Sequence, residues 1–195
     1  MVYNNILIRT KRTFRFFLFY SFLFWGVPFT LRLFFIDVNN VDNQTTASGL
    51  DVVAEITHHF LNNDKWSVFC LIFINNLKVC VVNIVGGVML GIPTIINLLL
   101  NGFSAADVFV NIHSNGIGVT QILKHTLPHC FELLGIWLSG AIGFSLAKLI
   151  IDFMRGNEVI NVNFFRFISK CIVMTVLIIL LAAFIEAYVS IPYDK

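Results

Sequence analysis

The chain has 195 residues, of which 57% are hydrophobic, 14% aromatic and only 12% charged, whereas a soluble domain carries about 25% charged residues. With 13 Lys and Arg against 11 Asp and Glu, the polar inventory cannot cover a folded surface in water, so a soluble globule is excluded and an integral membrane protein implied. The net charge of +2 is too small to point to nucleic acid.

At roughly 20 residues per span, the chain holds about four to six helices. The expectation is an all-α, polytopic transmembrane bundle of about five spans forming a single membrane domain over residues 1–195. The first apolar run, Phe14 to Ile36, follows Arg9, Lys11 and Arg12 and contains Arg15. It is longer than the apolar part of a signal peptide and lacks a small-residue cleavage site, so it reads as a retained N-terminal span. Residues 37–65 form an acidic loop with Asp37, Asp42, Asp51, Glu55 and Asp64. Within it, Val53, Ile56 and Phe60 share a helical face, which predicts a short amphipathic helix lying in the interface.

From Trp66 to Leu100 the chain is apolar apart from Asn75, Asn76, Lys78 and a few later polar side chains. The span proper is expected at Leu77 to Leu100, after an interfacial lead-in, with Pro93 as a kink and Asn101-Gly102 as helix stop and turn. Phe103 to Leu123 is interrupted by Asp107, Asn111, His113, Asn115, Gly116, Gly118 and Gln121. Leu127 to Ile151 and Phe164 to Val189 are clear spans. The positive-inside rule favours a crossing at 103–123, because five spans with the N-terminus inside put Arg9, Lys11, Arg12, Arg15, Lys148, Arg155, Arg166 and Lys170 on one side. The acidic loop then lies outside.

Ionisable groups inside spans are costly and mark function or a paired structural site. His129, Glu132 and Glu186 are such groups, together with Asn75, Asn76 and Lys78. Steps of three and four residues place Glu132 on a stripe with Gly135, Ser139, Gly143 and Ala147, and Asn76 on a stripe with Asn83, Gly87, Gly91 and Thr94. Stripes of small residues mark helix contacts, so Gly87, Gly91, Gly135, Ser139 and Gly143 are expected at packing faces. Thr175, Ile179, Ala182 and Glu186 share a third face. With alternating helices, Asn75, Asn76, Lys78, His129, Glu132 and Glu186 gather near the outer face as one polar cluster. Three readings of it stay open. One is an ion-paired plug, with Lys78 or His129 neutralising Glu132 and Glu186, that fixes helix register. A second is an outward pocket for a cation, a proton, a basic peptide end or a partner's transmembrane segment. The third is a metal held by His125, His129 and Glu132, which Pro128 and the lack of an HExxH pattern disfavour, so no resident metal or cofactor is expected.

The remaining signals are weaker. Cys70, Cys80, Cys130 and Cys171 lie singly in apolar stretches and read as small buried hydrophobes. Asn43-Gln44-Thr45 is a glycosylation sequon of low specificity, and His58-His59 reads as a solvated face. No phosphate loop, nucleophile elbow or dinucleotide fingerprint occurs in the chain.

The segments IFINNLKV (Ile72 to Val79), GGVMLG (Gly86 to Gly91), LLNG (Leu99 to Gly102), LPHCFELLGIWLSGAIG (Leu127 to Gly143) and FIEAYV (Phe184 to Val189) resemble, in this order, the stage II sporulation protein M family of bacterial integral membrane proteins. The family-like core covers about residues 66–190, with the span 14–36 and the loop 37–65 outside it. The resemblance implies a multi-pass subunit of the bacterial cytoplasmic membrane that contacts lipid and other membrane proteins. The founding member belongs to a complex that remodels peptidoglycan, where a cell-wall hydrolase is the partner. Shorter relatives accompany an ABC-type ATPase in circular bacteriocin maturation, export or immunity. A scaffold or transport-complex subunit, with a homo-oligomer compatible, is therefore the leading expectation. The alternative is an intramembrane peptidase or cyclising enzyme on a small apolar peptide, with His129 and Glu132 as its acid-base pair.

Overall fold

A computed structural model describes residues 2–35, 58–59, 62, 64–114, 129–156 and 162–188. The described residues form five long helices: α1 (Val2–Phe35), α2 (Lys65–Val88), α3 (Ile92–Ser114), α4 (His129–Met154) and α5 (Val162–Tyr188). All five are long and apolar enough to cross a membrane. The expected interfacial helix lies outside the described residues except at His58, His59 and Asn62, as do the sequon at 43–45 and the chain between Asn115 and Pro128.

The bounds of α4 and α5 lie close to the spans read from hydropathy, and α1 ends where its span does but begins at Val2 rather than Phe14, whereas those of α2 and α3 differ more. The apolar stretch 66–100 is not one span with a lead-in. It is the whole of α2 followed by a tight turn and the first half of α3. The turn is built where the sequence is GGVMLG. The Met89 and Gly91 N–H groups both donate to the Gly86 carbonyl, at 3.1 and 3.0 Å. Leu90 (φ 60°) and Gly91 (φ 81°) adopt the left-handed conformation that ends helices. Pro93 does not kink a span; it sits in the first turn of α3, where its missing N–H has no intrahelical acceptor in any case. Asn101-Gly102 is likewise no stop, since α3 continues through it to Ser114. The third crossing is thus Ile92–Ser114 rather than 103–123. At the other end of α2, Asp64 caps the helix by accepting from the Ser67 N–H at 3.2 Å, and hydrogen bonding by Ser67, side chain and backbone, holds the Asp64 carboxyl below the usual aspartate range.

Side-chain pairings fix the direction of every helix. Ser21 lies at Gly140 and Trp25 at Trp137, so α1 and α4 run antiparallel. Trp25 also lies at Gly102, and Arg32 forms a salt bridge to Asp107 at 2.8 Å, so α1 and α3 are parallel. Asn83 meets Ser139 and Gly87 meets Gly143, which makes α2 and α4 parallel. The α2–α3 turn, and the Gly135–Ile179 contact together with the buried cluster that joins Ile142 to Ile168, complete a bundle in which successive helices alternate in direction. The N-terminus of α1 and the C-terminus of α5 therefore lie at opposite ends.

Helix α4 is the axis of the bundle and touches all four others. Over half of its spanning segment (56%) is buried, against 28% or less for each of the others. Its composition explains this, since Gly135, Ser139, Gly140, Ala141, Gly143, Ser145 and Ala147 are all buried and let neighbours approach from every side. Exposed Phe, Val, Leu and Ile side chains cover the outer faces, as expected of helices solvated by lipid tails.

Candidate functional site

Two buried polar features occupy this frame. The first is a seam through the middle of α2, α3 and α4. Asn83 is fully buried and donates to Ser139 Oγ at 2.8 Å, while Ser139 Oγ donates to the Ile136 carbonyl at 2.7 Å. From α3, Asn97 Nδ2 donates to Asn83 Oδ1 (2.8 Å) and to the Val79 carbonyl (3.1 Å). Thr94 Oγ1 donates to the Asn83 carbonyl at 2.7 Å, and Asn101 Nδ2 donates to the Asn97 carbonyl at 2.8 Å. In a hydrocarbon environment each of these amides must find a protein partner, so the seam fixes the mutual register of three helices. Asn83 was recognisable in the sequence as part of a stripe, but its role was not. Asn97 and Asn101, four residues apart on one face of an apolar segment, were the missed signal.

The packing contacts flank this seam. A Cβ on Gly87 would lie 2.2 Å from the Gly143 carbonyl oxygen, and one on Gly143 would lie 2.3 Å from that of Asn83. Gly135 faces Ile179, and Gly91, besides its positive φ, faces Ala147 and Phe144. Ser139, at the centre, acts through hydrogen bonds rather than by close approach.

Replacing Asn83 by leucine removes its contacts to Ser139, Ile136 and Asn97, and a hydrogen bond between membrane helices contributes about 0.6 to 1.7 kcal/mol. The expected loss is about 1 to 3 kcal/mol, whereas Asn75→Leu, on an exposed face of the same helix, should leave stability unchanged. Unfolding in mixed micelles measures both, and equal shifts would contradict the seam.

The second feature carries charge. Carrying the α2–α4 register back two turns from Asn83 and Ser139 sets Asn76 beside Glu132. Both are buried, at 8% and 6% exposure. The antiparallel α4–α5 register through Gly135 and Ile179 sets Glu132 level with Ala182. Glu186 then lies one turn, about 6 Å, nearer the end of the bundle. Glu132 Oε1 and Glu186 Oε2 are both sealed from solvent, and Val68, Ile72, Ala183 and Ala187 pack together between α2 and α5 at the same end. Glu132 lies in the first turn of α4, where the helix dipole favours a carboxylate. Glu186 lies in the last turn of α5, where the dipole opposes it.

The other members of the expected cluster are distributed differently. Asn75 and Lys78 are exposed, because at 100° per residue only Asn76 of that group can share the Asn83 face. Lys78 is therefore not the cation between the glutamates. His129 begins α4, but its side chain, like all of His125, lies outside the described residues. Neither the metal set nor the acid-base pair has a placed imidazole. Among the described residues, no three His, Cys, Asp or Glu side chains gather to hold a metal ion. Cys80 is buried beside Ile136 and Ile179, and Cys130 is exposed.

Comparison with known proteins adds the following. A family model described as Stage II sporulation protein M matches residues 14–191, reaching beyond the motifs at 66–190 to take in α1. An uncharacterized protein of Methanocaldococcus jannaschii is 24% identical over 159 residues, covering 80% of this chain and 84% of that one. No solved structure matches.

Proposed function

The chain belongs to the stage II sporulation protein M family, and from that membership we propose that it is a non-catalytic scaffold or transport-complex subunit of the bacterial cytoplasmic membrane. Its work lies in cell-envelope remodelling or in the maturation, export or immunity of an apolar peptide. What supports this reading is the helix register that sets Glu132 and Glu186 near one end of the bundle on neighbouring helices, each with an oxygen sealed from solvent. Two carboxylates in a low-dielectric setting attract a cationic group strongly. The basic residue of a partner's span, or the amino end of a peptide, supplies such a group.

The opposite end supports an orientation. Lys11, Arg12 and Arg15 of α1, Lys148 of α4 and Arg166 and Lys170 of α5, with Arg155 just beyond α4, share that end, which by the positive-inside rule is cytoplasmic. The glutamates then face the outer leaflet. Cysteines introduced at Asn157 and at Asn43 should react with an impermeant thiol reagent from opposite sides of the membrane. Labelling of both from outside would overturn the orientation and, with it, an outward pocket.

The function itself is tested by cross-linking in native membranes. Glu132→Gln and Glu186→Gln should remain membrane-inserted while recovery of the cross-linked partner falls. The partner's identity, a cell-wall hydrolase or an ABC-type ATPase, separates the two roles. Peptide turnover that is lost in Glu132→Gln with assembly intact would instead assign an enzyme.

A further inference from the structure

The basic end of α1 carries more than an orientation signal. Arg12, Arg15, Phe16 and Phe19 line a shallow open groove of about 380 Å³. They stand at i, i+3, i+4 and i+7, hence on one face of one helix. That face is turned away from the bundle, since both arginines are exposed and Phe16 and Phe19 are 55% and 56% exposed. The buried face of the same turns is marked by Phe14, which packs edge-to-face on Phe167 of α5 at 5.2 Å.

Length sets the depth of the groove. The apolar part of α1, Thr10–Phe35, has 26 residues and extends about 39 Å at 1.5 Å per residue, against a hydrocarbon core of about 30 Å. Its first turns therefore stand among lipid headgroups, with Arg12 outermost and Phe16 and Phe19 entering the acyl region. Neither arginine meets a carboxylate among the described residues. Lys148, by contrast, is paired with Asp152. The groove thus offers two guanidinium groups, which bind phosphate oxygens in a planar fork, directly above two aromatic rings exposed to lipid tails.

We propose that this groove is a binding site for an anionic phospholipid. Arg12 and Arg15 hold the phosphodiester, and an acyl chain runs along Phe16 and Phe19. The amphipathic order, charge then rings along one helix face, matches a lipid molecule rather than a free anion, which has no use for the rings. Arg166 and Lys170, exposed on α5 at the same level, add to the local potential but do not line the groove.

The test is native mass spectrometry of the full chain released from micelles containing equimolar phosphatidylglycerol and phosphatidylcholine. The wild type should retain phosphatidylglycerol selectively. Since each basic side chain near a membrane surface contributes about a factor of five, Arg12→Gln with Arg15→Gln should weaken retention about 30-fold. Arg166→Gln with Lys170→Gln should retain most of it. Equal retention of the two lipids by the wild type, or retention indifferent to the Arg12 and Arg15 changes, overturns the proposal. Displacement of the lipid by excess inorganic phosphate would also overturn it, in favour of a simple anion site. The lipid comparison and the phosphate competition use the unaltered chain, so the proposal stays testable even if the double variant does not fold.

Discussion

Alanine at Gly87 should be among the most damaging small substitutions in this protein. The new Cβ would lie 2.2 Å from the Gly143 carbonyl oxygen and 2.7 Å from its carbonyl carbon and Cα. These are backbone atoms of a neighbouring helix, so no side-chain rotation relieves the clash and α2 must separate from α4. Separation breaks the Asn83–Ser139 hydrogen bond one turn away, which couples the two losses. Overpacking ordinarily costs about 1 to 3 kcal/mol, and a rigid backbone neighbour sets this case at or above about 3. Gly26 provides the contrast. A Cβ there meets only the tip of the Phe22 ring at 3.9 Å, and alanine gains up to about 1 kcal/mol of helix propensity over glycine. Detergent unfolding should therefore move in opposite directions for Gly87→Ala and Gly26→Ala. Similar midpoints for the two would mean that α2 and α4 do not cross at this point.

The same contact shows why parts of the fold were legible in the sequence and parts were not. Small-residue stripes are periodic, and periodicity survives without knowledge of the partner. Gly87, Gly135 and Gly143 could therefore be assigned to helix contacts from spacing alone. Spans α1, α4 and α5 are bounded by polar residues, so hydropathy locates them. The α2–α3 hairpin has no such boundary. Its turn, Met89-Leu90-Gly91, is as apolar as the helices it joins, because a turn whose N–H groups are satisfied by Gly86 needs no polar side chains. Two local signals in this stretch read in more than one way. Pro93 reads equally well as a kink or as a helix start, and only the preceding left-handed residues decide. Asn101-Gly102 has the composition of a turn, yet Gly102 is buried against the Trp25 carbonyl and Asn101 bonds to the previous turn of its own helix.

The polar site was legible in its faces but not in its membership. Asn76 and Glu132 belong to stripes that also contain Asn83 and Ser139, so one hydrogen bond between the latter pair fixes the level of the former. Lys78 is two residues from Asn76 and thus on the far side of the helix. Charge complementarity had suggested it as the counter-ion, and helix geometry overrides that suggestion.

The last expectation concerns the glutamates, whose truncation should expose how the bundle holds charge. Truncating a buried side chain of this size to alanine leaves a cavity, at a cost of about 2 to 5 kcal/mol. A surface charge contributes about 0 to 1. Glu132→Ala should therefore destabilise the bundle far more than Arg155→Ala, since Glu132 is 6% exposed while Arg155 is exposed beyond the end of α4. The two glutamates should also differ from each other. Glu132 lies at the N-terminal turn of α4 and Glu186 at the C-terminal turn of α5. The helix dipole stabilises the first charge and destabilises the second by about 0.3 to 1 kcal/mol each. Neutralisation by glutamine should consequently cost more at Glu132 than at Glu186, although both changes preserve volume. An axial offset of about 6 Å with helices about 8 to 10 Å apart puts the two positions about 10 Å from each other. In a cysteine-free background, Glu132→Cys with Glu186→Cys should then be joined by a short bifunctional thiol reagent, whereas Glu132→Cys with Ile168→Cys, at the other end of α5, should not. Failure of the first pair to cross-link would overturn the proposed pairing of the two carboxylates, and melting temperatures for Glu132→Ala and Arg155→Ala that coincide would contradict the buried placement of Glu132.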